Sequence, residues 1–418
     1  MIHSQIVLFE DVHARGKLFK PLTYTRPFAE LLVGAYSALE RIKTHSAPET
    51  QIGLHVRPEL VAISKKKHPG IFINEFELAR RSIFINARIL ITDHLFKTFQ
   101  SDEDTVFHLE DQPDQILGFN IGGEIPKKIA DKITKGLPLT IDDIKLTPRP
   151  MPKAKMFTSL WNMVNSNSVV IQSDMKRMAA QGVRKFSREL RVNDRIAISG
   201  MHNVYVHESA TFARTTYLNA KGGPILIEEN VVCEPNSVII GPAVIRAGSL
   251  IKAGAKIHPG TTLGPVSKMG GEIEDSIVMG YTNKQHDGYM GHSYLGEWCN
   301  IGAGTNTSDL RNDYSNVKVT IEDEEFETKA LFVGLLMGDH SKAAIGTRFN
   351  TGTVVGVSSN IFSAGFPPKW IPNFSWCGPD GIEKYKEEKA LEVAKIVMAR
   401  RGKAISEEEI GVLKGLAG

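Results

Sequence analysis

In the second half of this chain, apolar residues return at every sixth position. The series starts at Ile227 and runs through Cys233, Ile239, Ile245, Ile251, Ile257 and Leu263, with small residues at fixed offsets behind each member. The phase resumes at Leu295 and Ile301, and again at Val333, Ile345, Thr351 and Val357. Such a period suits neither an amphipathic helix, which repeats at about 3.6 residues, nor a meander with turn signals roughly every eight to twelve. It suits one flat side of a triangular coil, in which a short strand turns an aliphatic residue inward and a small residue rounds the corner. Stacked coils then bury a continuous column that no single coil can bury alone. The spacing therefore predicts a left-handed parallel β-helix over residues 186–378. Two stretches break the period, Leu263 to Leu295 and Asn306 to Ala330, and are expected to leave the coil as loops that display functional groups. The segment FPPKWIPNFSWCGPDG is expected to be irregular. Beyond it Leu391, Val393, Ile396 and Val397 share a helical face, and Ser406 with Glu409 forms a capping box, so 379–418 reads as C-terminal helices.

Residues 1–150 follow a different rhythm. Short apolar runs (QIVLF, SIFIN, RILIT) alternate with helical patterns such as FAELLVGAYSALERI, which predicts an α/β layer with a mostly parallel sheet. Residues 151–185 read as a linker leading to a helix whose apolar face comes from MFTSLWNMVNSNSVVIQSDMKRM. A length of 418 residues agrees with two domains plus accessory segments.

Composition narrows the field. With 42% apolar and 23% charged residues the chain is globular, and a net charge of +3 spread among mixed signs gives no reason to expect nucleic acid. Cys233, Cys299 and Cys377 are far apart and form no CxxC or Cys/His cluster, so they read as free thiols of a cytoplasmic protein. The opening segment lacks a signal-peptide pattern, and no apolar run approaches the ~20 residues that span a bilayer.

Three segments carry a likeness to a known family: GHSYLGEWCNIGAGTNTSDLRNDYSNVKV (Gly291 to Val319), GDHSKAAIGTRFNTGTVVG (Gly338 to Gly356) and NKQHDGYMGHSYLG. They resemble the bifunctional N-acetylglucosamine-1-phosphate uridyltransferase/glucosamine-1-phosphate acetyltransferase family, in its Bacteroidetes-type variant, and its archaeal thymidylyltransferase relatives. The resemblance implies a shortened, Rossmann-like nucleotidyltransferase domain ahead of the β-helix, and synthesis of UDP-N-acetylglucosamine-type sugars from a sugar 1-phosphate, UTP or dTTP, and acetyl-CoA. It also implies a homotrimer.

The resemblance places the acetyltransferase base on His292 with Tyr294 beside it. An amino sugar must lose a proton before attacking a thioester, and histidine is the side chain suited to take it. The commoner form of the motif has one more residue between these two, and a one-residue slip turns a strand side chain to the other face. His286, in NKQHDG, is the competing histidine. Asn300 and Ala303 match positions that line the acyl-CoA and sugar groove, Asp309 stands in the same set where many relatives have asparagine, and Lys342 matches a lysine tied to the same activity in archaeal relatives. In the front half, PLTYTRP matches part of the nucleotide-binding opening, but the GxGxR loop is missing and Phe28 stands where lysine is expected. Lys17, Lys20 and Arg26 are the cations available to replace those charges, and Asp93 matches the Mg2+-binding aspartate. An acyltransferase with a degenerate nucleotide-binding domain, or a trimeric scaffold, stands beside the bifunctional reading.

Overall fold

The periodic half forms a left-handed parallel β-helix. In this computed structural model, residues 5–75, 81–101, 103–151, 154–180 and 196–418 are described. Short strands stack into three sheets of eight, nine and ten strands, one for each side of the prism, paired in parallel register from coil to coil except for the final strand Gly381–Lys384, which folds back antiparallel. Ile227, Cys233, Ile239, Ile245, Ile251, Ile257 and Leu263 all point into the column and are buried.

Two expectations about the interruptions fail. Between Leu263 and Leu295 the coil continues, with Met269, Ile273, Val278 and Met290 filling the column. The chain tightens its corner at Gly270 and Gly271, which shifts the phase without breaking the helix. One occupant of the column is a lysine: Lys284 stacks on Met269, and its side chain is buried. After the second interruption the inward residues are Met337, Ala343, Phe349, Val355 and Ile361. The expected phase at Val333, Ile345, Thr351 and Val357 is therefore displaced, and Ile345 is 78% exposed. The reason is local. The chain re-enters the coil with Met337 inward, four residues after Val333, so each later inward position is offset by four from a count begun at Val333.

The second interruption does leave the coil, as a hairpin of Lys318–Ile321 against Glu324–Glu327. Alternation along its first strand buries Val317, Val319 and Ile321 and turns Lys318 and Thr320 outward. The Pro- and aromatic-rich segment is more regular than expected, since Trp370–Ile371 and Ser375–Gly378 pair onto the last coil. Helices Glu387–Ala399 and Glu407–Ala417 follow, the latter started by the Ser406/Glu409 capping box.

The front sheet has seven strands in the order Phe72–Ile73, Gln51–His55, Gln5–Phe9, Ser82–Asn86, Ile116–Ile121, Thr105–Leu109 and Thr147–Met151. Its first four strands are parallel, Thr105–Leu109 and Thr147–Met151 run the same way, and Ile116–Ile121 alone is antiparallel to both neighbours, so the sheet is mostly parallel, as expected, with one reversed strand. The helix expected over FAELLVGAYSALERI starts only at Ala38, behind the Ser37/Glu40 capping box. Gly34 interrupts the pattern at φ 72°, pressed so closely by Val170 and Asp174 that a side chain has no room there.

The long helix Leu160–Ala180 ties the halves together. Asn167 accepts from the Gly34 N–H and donates to the Gly260 carbonyl, and Asp174 pairs with the buried Arg41. One apolar core then joins Leu32, Leu54 and Ile83 of the front half to Ile277, Tyr294, Leu336 and Val354 of the nine-stranded face. The expected boundary at 185/186 falls on residues outside those described. Among the described residues no helix is long and apolar enough to cross a membrane, and the three cysteines are buried and unpaired.

Candidate functional site

His292 occupies the corner between the eight-stranded and nine-stranded faces, at φ 43°. Its Nδ1 lies 2.8 Å from Asp309 Oδ2. A carboxylate only accepts, so Nδ1 carries the proton and Nε2 presents its lone pair. Asp309 is one coil further on and is held in turn by the Tyr289 hydroxyl at 3.0 Å, which also reaches Glu274 at 3.1 Å. Phe332 stacks on the imidazole at 4.7 Å between centroids. Asp275 stands 3.7 Å from Nε2, and burial lifts its carboxyl above the usual range although His292 pulls the other way. The arrangement is an oriented imidazole with its free nitrogen facing a second carboxylate, a geometry able to receive a proton from a cationic amine.

The other residues expected at the site are placed elsewhere. Tyr294 is fully buried and donates its hydroxyl to the Leu32 carbonyl at 2.7 Å, so its ring belongs to the contact with the front half. Asn300 and Lys342 are neighbours on the ten-stranded face, the side of the prism opposite the His292 corner. Lys342 donates to the His340 carbonyl at 2.6 Å, and burial lowers the pKa of its amine. Ala303 lies at the far corner of that face, its carbonyl accepting from the Gly346 N–H. His286 is exposed, and its backbone carbonyl accepts from buried Lys284.

The three front-half cations are engaged by the β-helix. Arg26 is buried and pairs with Asp339 and, at 3.2 Å, with Glu297. Lys20 meets Glu322 at 2.7 Å, and Lys17 meets Glu324 at 3.0 Å and Glu322 at 3.7 Å. These carboxylates fill the role that a nucleotide phosphate was expected to play. Next to them opens a cleft of about 810 Å³ whose walls include His13, Lys17, Arg88, Gln115, Lys155 and Phe326. Arg88 is consumed by Asp11, Gln115 and the Phe157 carbonyl. The side-chain amine of Lys155 has no partner among the described residues, and burial lowers its pKa below the ordinary value. Lys155 was not anticipated from sequence. Its only signal there is its place after the apolar front sheet, which many lysines share.

Residues 6–182 match the family model described as sugar nucleotidyl transferase. The front half is thus a sugar nucleotidyl transferase-like domain, and it supplies most of the cleft, beside the C-terminal ends of strands Gln5–Phe9 and Ser82–Asn86, while Glu324 and Phe326 of the hairpin complete the wall. Among curated proteins, the bifunctional protein GlmU of Methanocaldococcus jannaschii is 40% identical over 85 residues, 20% of this chain and 21% of that protein. The GlmU of Methanococcus maripaludis is 38% identical over 141 residues, 33% of this chain and 34% of that protein. A bifunctional sugar-1-phosphate nucleotidylyltransferase/acetyltransferase of Sulfurisphaera tokodaii is 30% identical over 91 residues, 22% and 23% of the two chains. The chain therefore spans about a fifth to a third of the length of these relatives. Among solved structures, the Bacillus cereus N-acyltransferase AntD, determined with dTDP and coenzyme A, shares 13% identity with a TM-score of 0.22 over 51% of this chain and 98% of that one.

Sugar nucleotidyl transfer ordinarily uses Mg2+ to neutralise phosphate charge, but the described side chains do not fit that ion. Asp93 is 64% exposed and engages Arg177 and His45. Asp11 is closed off by Arg88, Asn86 and the Ala14 N–H, whose combined pull outweighs burial and keeps its carboxyl below the usual range. Among the described residues no group of three or more His, Cys, Asp or Glu side chains converges to hold a metal.

Proposed function

We propose that this chain is a cytoplasmic sugar-phosphate transferase whose β-helix moves an acetyl group from acetyl-CoA to the amine of an amino-sugar phosphate. The observation that carries the reading is the His292–Asp309 pair. In this reading the ammonium of the acceptor sits between His292 Nε2 and Asp275. Nε2 takes one of its protons, and the freed amine attacks the thioester carbonyl. The C–N bond forms as the C–S bond breaks, the nitrogen's second proton passes to the departing thiolate so that the amide and coenzyme A thiol result, and Asp309 stabilises the imidazolium until its proton is released to solvent. Asn300, Ala303 and Lys342 serve the acyl-CoA, supplied to each His292 corner by a neighbouring copy, because one chain carries them across the prism from its own histidine. A cyclic trimer satisfies that requirement on all three edges.

For the front domain, two readings divide the observations. The sugar nucleotidyl transferase match and the cleft beside Lys17 and Lys155 favour a site for UTP, dTTP or the corresponding nucleotide sugar. The engagement of Arg26, Lys17 and Lys20, with no converging metal donors among the described residues, favours binding without turnover. We take the second as the better reading of nucleotidyl transfer: an acyltransferase carrying a nucleotide-binding front domain.

The test is thiol release from acetyl-CoA with glucosamine 1-phosphate as acceptor. The wild type is expected to release thiol, and His292→Ala is expected to lose about two to four decades in kcat. A wild type that releases none, in a trimer that folds, leaves the β-helix as an assembly platform.

A further inference from the structure

The hairpin that leaves the β-helix ends in a turn whose two central residues, Glu322 and Asp323, both sit at positive φ, 50° and 59°. Hairpin turns of that kind favour Asn and Gly, because a side chain there carries a steric cost. A glutamate in such a position is placed for its carboxylate. Glu322 reaches Lys20, Tyr24 and Lys17, and Glu324 reaches Lys17, so two carboxylates of one domain neutralise two lysines on the loop that edges the cleft of the other. Glu324 and Phe326 themselves line that cleft.

The strand behind the turn is anchored. Val317, Val319 and Ile321 are buried in the core shared by both halves, so the hairpin backbone is fixed to the front domain. The carboxylates are not. The side chains of Glu322, Glu324 and Lys17 are 31%, 55% and 35% exposed, and exchange of partners there needs only rotamer changes. The side-chain amine of Lys155, which also lines the cleft, has no partner among the described residues.

We infer that Glu322 and Glu324 are built-in competitors for phosphate: a nucleotide diphosphate or triphosphate enters the front cleft by displacing them from Lys17 and Lys20 and joining Lys155. This rests on the reading of the cleft as a nucleotide site. It adds that the β-helix sets the affinity of the front domain for the charged part of the ligand. The base and ribose, which carry no charge, are indifferent to the exchange.

Titration calorimetry of the full chain with UTP, dTTP and uridine tests it, with thermal melts to confirm the fold of each protein. Glu322→Gln/Glu324→Gln is expected to bind one of the triphosphates about 3- to 30-fold more tightly than the wild type, the range for two part-exposed ion pairs, with uridine unchanged. Lys17→Gln/Lys20→Gln is expected to lose triphosphate affinity. If the double glutamine variant is unstable, Glu324→Gln alone, on the more exposed carboxylate, carries the same sign at smaller size. Equal triphosphate affinity in the wild type and the glutamine variants overturns the competition while leaving the cleft as a nucleotide site. Absence of triphosphate binding by every variant overturns both.

Discussion

Two clusters on this chain pair basic side chains with carboxylates, and they are assembled in opposite ways. At the His292 corner the imidazole meets Asp309 across 17 residues, the length of about one coil. At the front lip Lys20 meets Glu322 across 302 residues, and Arg26 meets Asp339 across 313. A solenoid puts residues one coil apart on top of one another, so a motif that is local in sequence stays local in space. A mixed α/β layer brings its neighbours from anywhere. The lesson concerns what a basic residue means: in the coil its partner can be counted out, whereas in the front half a free cation and an engaged one look identical until the other domain is in place.

The sharpest way to break this contrast is at Arg26. If it is structural, Asp339→Ala leaves a buried guanidinium without its closest counter-charge, and the Thr25 hydroxyl and Glu297 N–H lose their acceptor. The expected cost is about 3 to 5 kcal/mol in denaturant unfolding. Replacing both partners, as Arg26→Met/Asp339→Leu, is expected to recover the part due to the stranded guanidinium, because an apolar pair carries no desolvation penalty, and to leave the part due to Thr25 and Glu297. A loss under about 1 kcal/mol for Asp339→Ala, set against that range, would return Arg26 to the pool of ligand-binding cations.

The corner pair is tested by Asp309→Asn. An amide in that place can donate to Nδ1, which favours the tautomer that puts the proton on Nε2 and removes the base. The expected result is a fall of about 10- to 1,000-fold in kcat for acetyl transfer with KM nearly unchanged, judged against the larger effect known for a buried triad aspartate. Tyr289 and Glu274 remain to hold the side chain, so the melting temperature should move little. A large drop in stability with kcat intact would make the pair a coil-to-coil staple.

How much of this was legible follows from the same distinction. The column from Ile227 to Leu263 could be read off because every inward residue repeats one chemical requirement. Beyond it, a tightened corner at Gly270 and Gly271 and the inserted hairpin shifted the count, and Ile345 was assigned inward although it points to solvent. Period alone does not register a shortened turn. At the site, His292 and Asp309 were both identifiable, but their contact was not, and Tyr294 was grouped with His292 because nothing local shows that its face is covered by the front domain. Glu322 and Glu324 gave no signal at all, since their importance lies wholly in what stands opposite.

The smallest effect expected is the most specific, because it concerns the one charged residue that the described residues place inside the regular column. Lys284 stacks on Met269, and its amine donates to the carbonyls of Gly270 and His286 at 3.1 and 3.0 Å. Burial pushes it down from an ordinary 10.5 to about 8, with Asp287 opposing only in part. Because the folded pKa lies below the unfolded one, the unfolded chain holds more protons between pH 8 and 10.5. Stability should therefore rise with pH through that window and be flat in this respect below it. Lys284→Met should remove that rise. Near neutral pH it should stabilise the protein by about 1 to 2 kcal/mol, the relief from a buried unpaired charge reduced by two lost hydrogen bonds. Unfolding of both proteins at pH 7.5 and pH 10 measures the difference. A wild type with no rise relative to Lys284→Met would mean that water reaches the ammonium, and that the column opens at the corner between Gly270 and His286.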